Sequence, residues 1–306
     1  MSAKAGIART EIAIPHGNVS DYFALTKPRV VLMVLVTTLA GYYLGVSQAG
    51  AGSAKDAVLA LNLLIGTALA AGGTLALNQY FERDTDAMMD RTRNRPLPAN
   101  RMRPAEALAF GAVAAVAGLA YLSIESNWLC AAVTAAITAV YLGVYTPMKR
   151  VSWMCNVVGA IPGALPPVAG WAAARGDIAL VPVLLFAIMF LWQLPHTFAV
   201  ARMFQADFAR AGIHILPPDD ERGRNRSNPV VICASIGLVA AGIVPALIGY
   251  AGVPYVVTAS VLGIAMLLLS YAMIRTPGSV PAARRLLLGS LVYLPLVLLA
   301  LVLNRV

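Results

Sequence analysis

Apolar residues run in long blocks along this chain, and polar residues gather between the blocks. Nine stretches are long enough to cross a bilayer core as helices, which needs roughly 20 apolar residues each. They are about Val30–Val46, Ala57–Phe81, Leu108–Ile124, Trp128–Thr146, Trp153–Ala174, Leu180–Ala201, Val230–Ala251, Tyr255–Ile274 and Leu286–Leu303. None contains Asp, Glu, Lys or Arg, and His196 is the one imidazole inside any of them. The runs do not alternate apolar with polar, which excludes the short alternating strands of a membrane barrel. The pattern predicts an all-α, polytopic membrane protein with nine transmembrane helices.

Composition agrees. Of 306 residues, 59 % are hydrophobic and 12 % charged, against roughly 25 % charged in a soluble domain. The formal charge of +9 does not point to nucleic acid, because basic residues of membrane proteins collect in cytoplasmic loops. Counting alternate loops from the N-terminus, one side holds 20 of the 23 Lys and Arg; Lys55, Arg175 and Arg305 lie on the other. The expected topology is therefore an N-terminus in the cytoplasm and a C-terminus outside. Cys130, Cys155 and Cys233 are far apart and have no metal-ligand spacing. The first 25 residues lack a signal-like apolar core, and with Glu11 and Asp21 they make a poor transit peptide. We expect one membrane-embedded domain over 1–306, with 1–25 as a cytoplasmic tail. Two long charged loops, roughly Glu82–Pro104 and Arg202–Pro229, lie on the basic side. Long polar loops carry function, so the expected cavity opens toward the cytoplasmic face.

The second span ends in a polar constellation. Asn78, Glu82, Asp86 and Asp90 are spaced by four, and the first three share one helix face. An amide and two carboxylates at a membrane interface suit a hard cation such as Mg²⁺, often shared with a substrate phosphate. Asp84 falls on the far side. The arginines that follow, Arg91, Arg93 and Arg95, fit an anionic ligand bound through guanidinium forks. A solvated, salt-bridged helix end is the simpler alternative. No Gly-rich phosphate loop of the Walker type is present, so nucleotide hydrolysis has no support. The sixth span ends Trp192-Gln193-Leu194-Pro195-His196. Ionisable groups inside membranes are functional candidates, and His196 suits a haem-iron ligand or an acid–base group; a hydrogen bond to a neighbour is the alternative. The even-numbered spans two, four and six end on one side, where Tyr145-Thr146-Pro147-Met148-Lys149-Arg150 closes the fourth. The glycines and prolines of the fifth span (Gly159, Pro162, Gly163, Pro166, Pro167, Gly170) are expected to widen a cavity between them.

Asn78-x₃-Glu82-x₃-Asp86 followed by Arg91-Thr92-x₂-Arg95-Pro96 resembles the first Asp-rich motif of the UbiA-type intramembrane prenyltransferases. Thr26-Lys27-Pro28-Arg29 and Tyr145-Thr146-x₂-Lys149-Arg150 extend the likeness over nearly the whole chain. Glu82 stands where that superfamily usually has Asp. Trp192-Gln193-x-Pro195-His196, with Asp207-Phe208-x₂-Ala211-Gly212 downstream, replaces its second Asp-rich motif and looks like the haem O synthase (protohaem IX farnesyltransferase) branch. The resemblance implies that farnesyl diphosphate and haem b give haem O and diphosphate, in haem A biosynthesis. It implies Mg²⁺ held by Asn78, Glu82 and Asp86, diphosphate clamps at Arg91, Arg95, Lys149 and Arg150, and His196 in contact with haem. It further implies a bacterial inner membrane as location and a downstream haem A synthase as a candidate partner. A prenyltransferase for a quinone precursor or another tetrapyrrole is the second reading. A secondary transporter is a third, for which inverted repeats and charged mid-membrane residues are lacking.

Overall fold

The computed structural model describes residues 15–46, 53–217 and 221–305. All named elements among them are helical. They run in the order α1 (Val19–Leu25), α2 (Pro28–Gly45), α3 (Ala54–Ala87), α4 (Pro104–Glu125), α5 (Trp128–Val140), α6 (Thr146–Met148), α7 (Cys155–Ala164), α8 (Pro166–Arg175), α9 (Leu180–Met203), α10 (Gln205–Arg210), α11 (Glu221–Leu247), α12 (Val253–Arg275) and α13 (Val280–Leu303). A π turn, Tyr141–Tyr145, joins α5 to α6. Among the described residues nine spans are long and apolar enough to cross a membrane. Two of them are built from pairs of helices, α5 with α6 and α7 with α8. The chain is a multi-pass membrane protein.

The ends of the helices follow local chemistry. Proline opens α2, α4 and α8, where its missing N–H costs no hydrogen bond. Ser53, Asn127 and Ser279 cap α3, α5 and α13 through their side-chain oxygens. The seventh span differs from its expected range. It stops at Leu247 rather than Ala251, because Gly249 takes φ 72° and turns the chain out of the helix. Within the expected N-terminal tail, α1 forms behind an Asn18–Asp21 capping box, and Arg101 Nε holds Asp21 Oδ1 at 2.9 Å. Residues 1–14 of that tail lie outside the described residues.

The bundle is held by close helix approach. Two spans of lipid-type composition gain nothing hydrophobic by meeting, so packing and small residues decide their association. α3 lies along α4, and α2 along α8. At the second crossing a Cβ on Gly41 would sit 1.9 Å from the carbonyl oxygen of Pro167, and one on Gly170 would sit 1.9 Å from that of Thr38. Only glycine fits either place. This corrects the expectation for the fifth span. Its glycines open no cavity: Gly159 is covered by the Tyr145 ring, Gly163 by the Gln193 amide and Gly170 by α2. Pro166 and Pro167 start α8 and divide the span at Leu165, whereas Pro162 lies inside α7. Apolar side chains such as Val113, Val116 and Leu268 remain exposed along the spans, as lipid-facing residues do.

Gly170→Val should cost at least ~3 kcal/mol, above the usual ~1–3 for overpacking, because the atoms it meets are backbone. Thermal unfolding in detergent checks this, with Gly242→Ala as control. A Cβ there meets only ordinary contacts, at 3.5 Å from Ala259 and 3.8 Å from Tyr293. Equal melting of the two variants would refute the close-approach account.

Candidate active site

The second span does not stop at Phe81. α3 continues to Ala87, so Asn78, Glu82 and Asp86 are all helical and share one face. Thr92 Oγ1 donates to the Asp86 carbonyl at 2.8 Å, which also accepts from the Met89 N–H at 3.3 Å. The Thr92 bond turns the following loop back over the helix. Arg95 then reaches Asp86, with Nη1 to Oδ2 at 2.6 Å.

Each of the three predicted ligands meets a partner from another element. Glu82 Oε1 accepts from Lys149 Nζ at 2.7 Å. Asn78, fully buried, accepts at Oδ1 from Lys27 Nζ at 2.8 Å and donates from Nδ2 to Thr146 Oγ1 at 3.1 Å. Lys27 is the N-cap of α2 and takes the left-handed conformation, φ 49°. Thr146 is delivered by the π turn. Pro147 has no N–H to give the preceding turn, the ladder slips by one residue, and Thr146 Oγ1 also donates to the Tyr141 carbonyl at 2.8 Å. The Lys149 ammonium lies 4.3 Å from the centre of the Tyr145 ring, within cation–π range. The ends of the second and fourth spans thus converge, with the start of the first beside them.

Asp86 lies at the helix end but is packed within the protein rather than solvated. It is 1 % exposed and ion-paired, and the Glu82–Lys149 pair is 13 % exposed on both sides. Burial, with Arg95 next in weight, pushes the Lys27 amine down to about 7. Burial also opposes the charge on Lys149, but Tyr145, Glu82 and Tyr141 outweigh it and hold that ammonium above its ordinary range.

The other predicted residues are distributed around this core. Arg91 lies over the rings of Phe204 and Phe208, 5.1 and 5.4 Å from their centres. This ties the end of the sixth span and α10 to the loop after α3. Arg150 is exposed; its carbonyl lies 3.0 Å from His214 Nδ1, and it is not drawn to the carboxylates. Asp90 pairs with Arg93 and Arg210, and Asp207 with Arg210. Asp84 is exposed beside Arg83. His214 is an exposed loop residue. His196 belongs to a separate set of contacts: Nδ1 lies 2.7 Å from Ser290 Oγ, and the ring stacks on Trp192. It sits five residues before Ala201, about 7.5 Å of helix rise. Ala201 packs with Met89 and Tyr145 under the loops, so the imidazole lies deeper in the bundle than that layer. Lys27 and Thr146 were not singled out from the sequence as site residues. The available signal was that each directly precedes a proline at a helix end.

The donor set fits a hard divalent cation. The bonds to Lys149 and Arg95 use Glu82 Oε1 and Asp86 Oδ2, and Oε2 and Oδ1 make no hydrogen bond to a described residue; no group of three or more His, Cys, Asp and Glu that could hold a metal ion occurs among the described residues. Two carboxylate oxygens with water and a substrate phosphate completing the shell is the usual demand of Mg²⁺.

Removing one member of a buried pair strands the other charge. Asp86→Asn should therefore cost about 2 kcal/mol in detergent unfolding, less than the ~3–5 of a fully buried pair because Arg95 is 27 % exposed. Asp86→Asn with Arg95→Gln should recover much of that loss. Strict additivity of the two changes would show that the pair contributes nothing.

The motifs and the fold lead to the same relatives. Residues 34–299 match the model of the UbiA prenyltransferase family. A protoheme IX farnesyltransferase from Solibacter usitatus (strain Ellin6076) is 43 % identical over 289 residues, covering 93 % of this chain and 98 % of its own. One from Koribacter versatilis (strain Ellin345) is 37 % identical over 304 residues, covering 96 % and 97 %. Among solved structures, a UbiA homolog from Archaeoglobus fulgidus bound to DMAPP and Mg²⁺ aligns with a TM-score of 0.65 over 92 % of this chain and 99 % of its own. At 17 % identity that is a likeness of fold. Paired carboxylates at the end of the second span, nine spans and this coverage agree: the chain belongs to the UbiA prenyltransferase family.

Proposed function

We propose that this protein transfers a farnesyl group from farnesyl diphosphate to a vinyl group of haem b, giving haem O and diphosphate. The diphosphate half is carried by one observation, the interleaving of Asn78, Glu82 and Asp86 with Lys27, Lys149 and Arg95 at one helix end. The haem half is supported by relatives named protoheme IX farnesyltransferase over nearly the whole chain and by His196 deeper in the bundle. The whole chain works as one membrane-embedded domain.

Lys149 Nζ and Arg95 Nη1 already stand beside carboxylates, so an arriving diphosphate takes up donors that are charged and oriented before it binds. Glu82 and Asp86 would hold Mg²⁺, which supplies positive charge to the leaving diphosphate, and Asn78, whose Oδ1 accepts from Lys27, would hold that amine beside them. Arg91, stacked on Phe204 and Phe208, is positioned at the loop layer above, while Arg150 contributes only to the surrounding field. The allylic C–O bond breaks and its electron pair leaves with the diphosphate. The vinyl π electrons close the new C–C bond onto the farnesyl carbon. Water adds to the resulting carbocation and loses a proton, which completes the hydroxyethyl group. Apolar spans exclude bulk water until the C–C bond has formed. His196 serves the porphyrin, as iron ligand or as acceptor of the proton released from water.

The excess of Lys and Arg in alternate loops supports a cytoplasm-facing site in a bacterial inner membrane, with the cavity open to that side, and a haem A synthase would consume the product. Reporter fusions after Ser126, Gly176 and Gly252 should read outside, and fusions after Arg95, Arg150, Arg222 and Pro277 inside. One swapped pair would overturn this orientation.

The reaction is tested by mass spectrometry of haems extracted after expression in a haem O-deficient host. Haem O should accumulate with the wild type and fall at least ~100-fold with Glu82→Gln, in line with loss of a group that acts on the leaving charge. Unmodified haem b together with a prenylated aromatic acid would instead establish the quinone-pathway reading.

A further inference from the structure

Ser290 lies in α13, ninety-four residues from His196, and touches it through one oxygen. His196 Nδ1 is 2.7 Å from Ser290 Oγ. The same Oγ is 2.6 Å from the Leu287 carbonyl oxygen. A serine hydroxyl has one proton, and a carbonyl has none to offer. If that proton pointed at His196, two bare oxygens would face each other at 2.6 Å. The proton therefore lies toward Leu287, Oγ accepts on its other side, and His196 Nδ1 is the donor.

A second contact holds the ring in place. Trp192 Nε1 donates to the Ser290 carbonyl at 2.8 Å, and the indole stacks on the imidazole with centres 5.0 Å apart and planes at 27°. One residue of α13 thus grips Trp192 through its backbone and His196 through its side chain. Ser290 itself is fully buried. His196 is only partly buried, and its Nε2 makes no hydrogen bond to a described residue.

We propose that Ser290 is a positioning residue that holds His196 as its Nδ1–H tautomer, so that the neutral ring presents the Nε2 lone pair. Histidines that bind iron or accept protons rely on such an acceptor behind the ring, which sets both tautomer and orientation. The consequence for turnover rests on the reading of His196 as the porphyrin contact; the tautomer does not. A serine bonded to a carbonyl in its own preceding turn is common in membrane helices, and a purely structural serine of that kind would leave the tautomer of His196 unchanged when removed.

The test uses full-length protein in detergent, labelled with ¹⁵N-histidine. Its three histidines are assigned with His16→Gln, His214→Gln and His196→Ala. The wild type should show a protonated Nδ1 and a bare Nε2 at His196. Ser290→Ala should move the ring toward the Nε2–H form and weaken haem b binding, read from the Soret band, about 10-fold, within the range for lost outer-shell partners. The KM for farnesyl diphosphate should stay unchanged, and Ser290→Thr, eluting as folded protein, should restore the signature. An Nε2–H signal in the wild type, an unchanged tautomer in Ser290→Ala, or a shifted tautomer with wild-type haem binding would each overturn the proposal. Wild-type haem binding and turnover in His196→Ala would overturn the porphyrin reading instead, and the nitrogen spectra would still decide the tautomer.

Discussion

A charge at the end of a membrane helix has to be matched, because neither lipid nor a packed helix end solvates it. Glu82 and Asp86 stand on α3 where that helix leaves the apolar region, and Lys149 and Arg95 come to them from the fourth span and from the returning loop. Asn78 completes the row by accepting from Lys27 and donating to Thr146. These contacts join the first, second and fourth spans at one end of the bundle. They also leave one oxygen on each carboxylate without a hydrogen bond to a described residue. The same pairing that makes the charges tolerable keeps carboxylates and cations together at one helix end.

Backbone irregularity serves that pairing. Pro147 forces the π turn that aims Thr146 at Asn78. Lys27 takes a left-handed conformation directly before Pro28, and its Nζ donates to Asn78 Oδ1. Thr92 ties off the end of α3 and turns Arg95 back. Away from the site the spans are regular, and glycine permits backbone contact between α2 and α8. The rigid part of the bundle is packed by small residues, and its working end is shaped by prolines.

The imidazole of the sixth span obeys a different rule. It has no carboxylate partner among the described residues and is gripped instead by a hydroxyl and an indole. Those contacts fix the orientation of the ring without a charge partner, and they keep it apart from the carboxylate row.

The sequence by itself determined the nine spans, the face shared by Asn78, Glu82 and Asp86, and the family motif, because hydropathy, helical period and residue spacing are local properties. Its boundaries failed where one residue acts against composition, as at Gly249, which ends α11 four residues before the apolar run does. It read the fifth-span glycines as space, because a missing side chain looks the same in a sequence whether it leaves a cavity or admits a neighbour. Only the tertiary structure decided that α2 fills the place beside Gly170. It alone paired Glu82 with Lys149, brought Lys27 to Asn78, left Arg150 outside and put Ser290 behind His196. Those partners lie 51 to 94 residues apart, and no spacing rule reaches across separate helices. Their meeting depends on which small-residue faces pack together and on the requirement that every buried charge find its match.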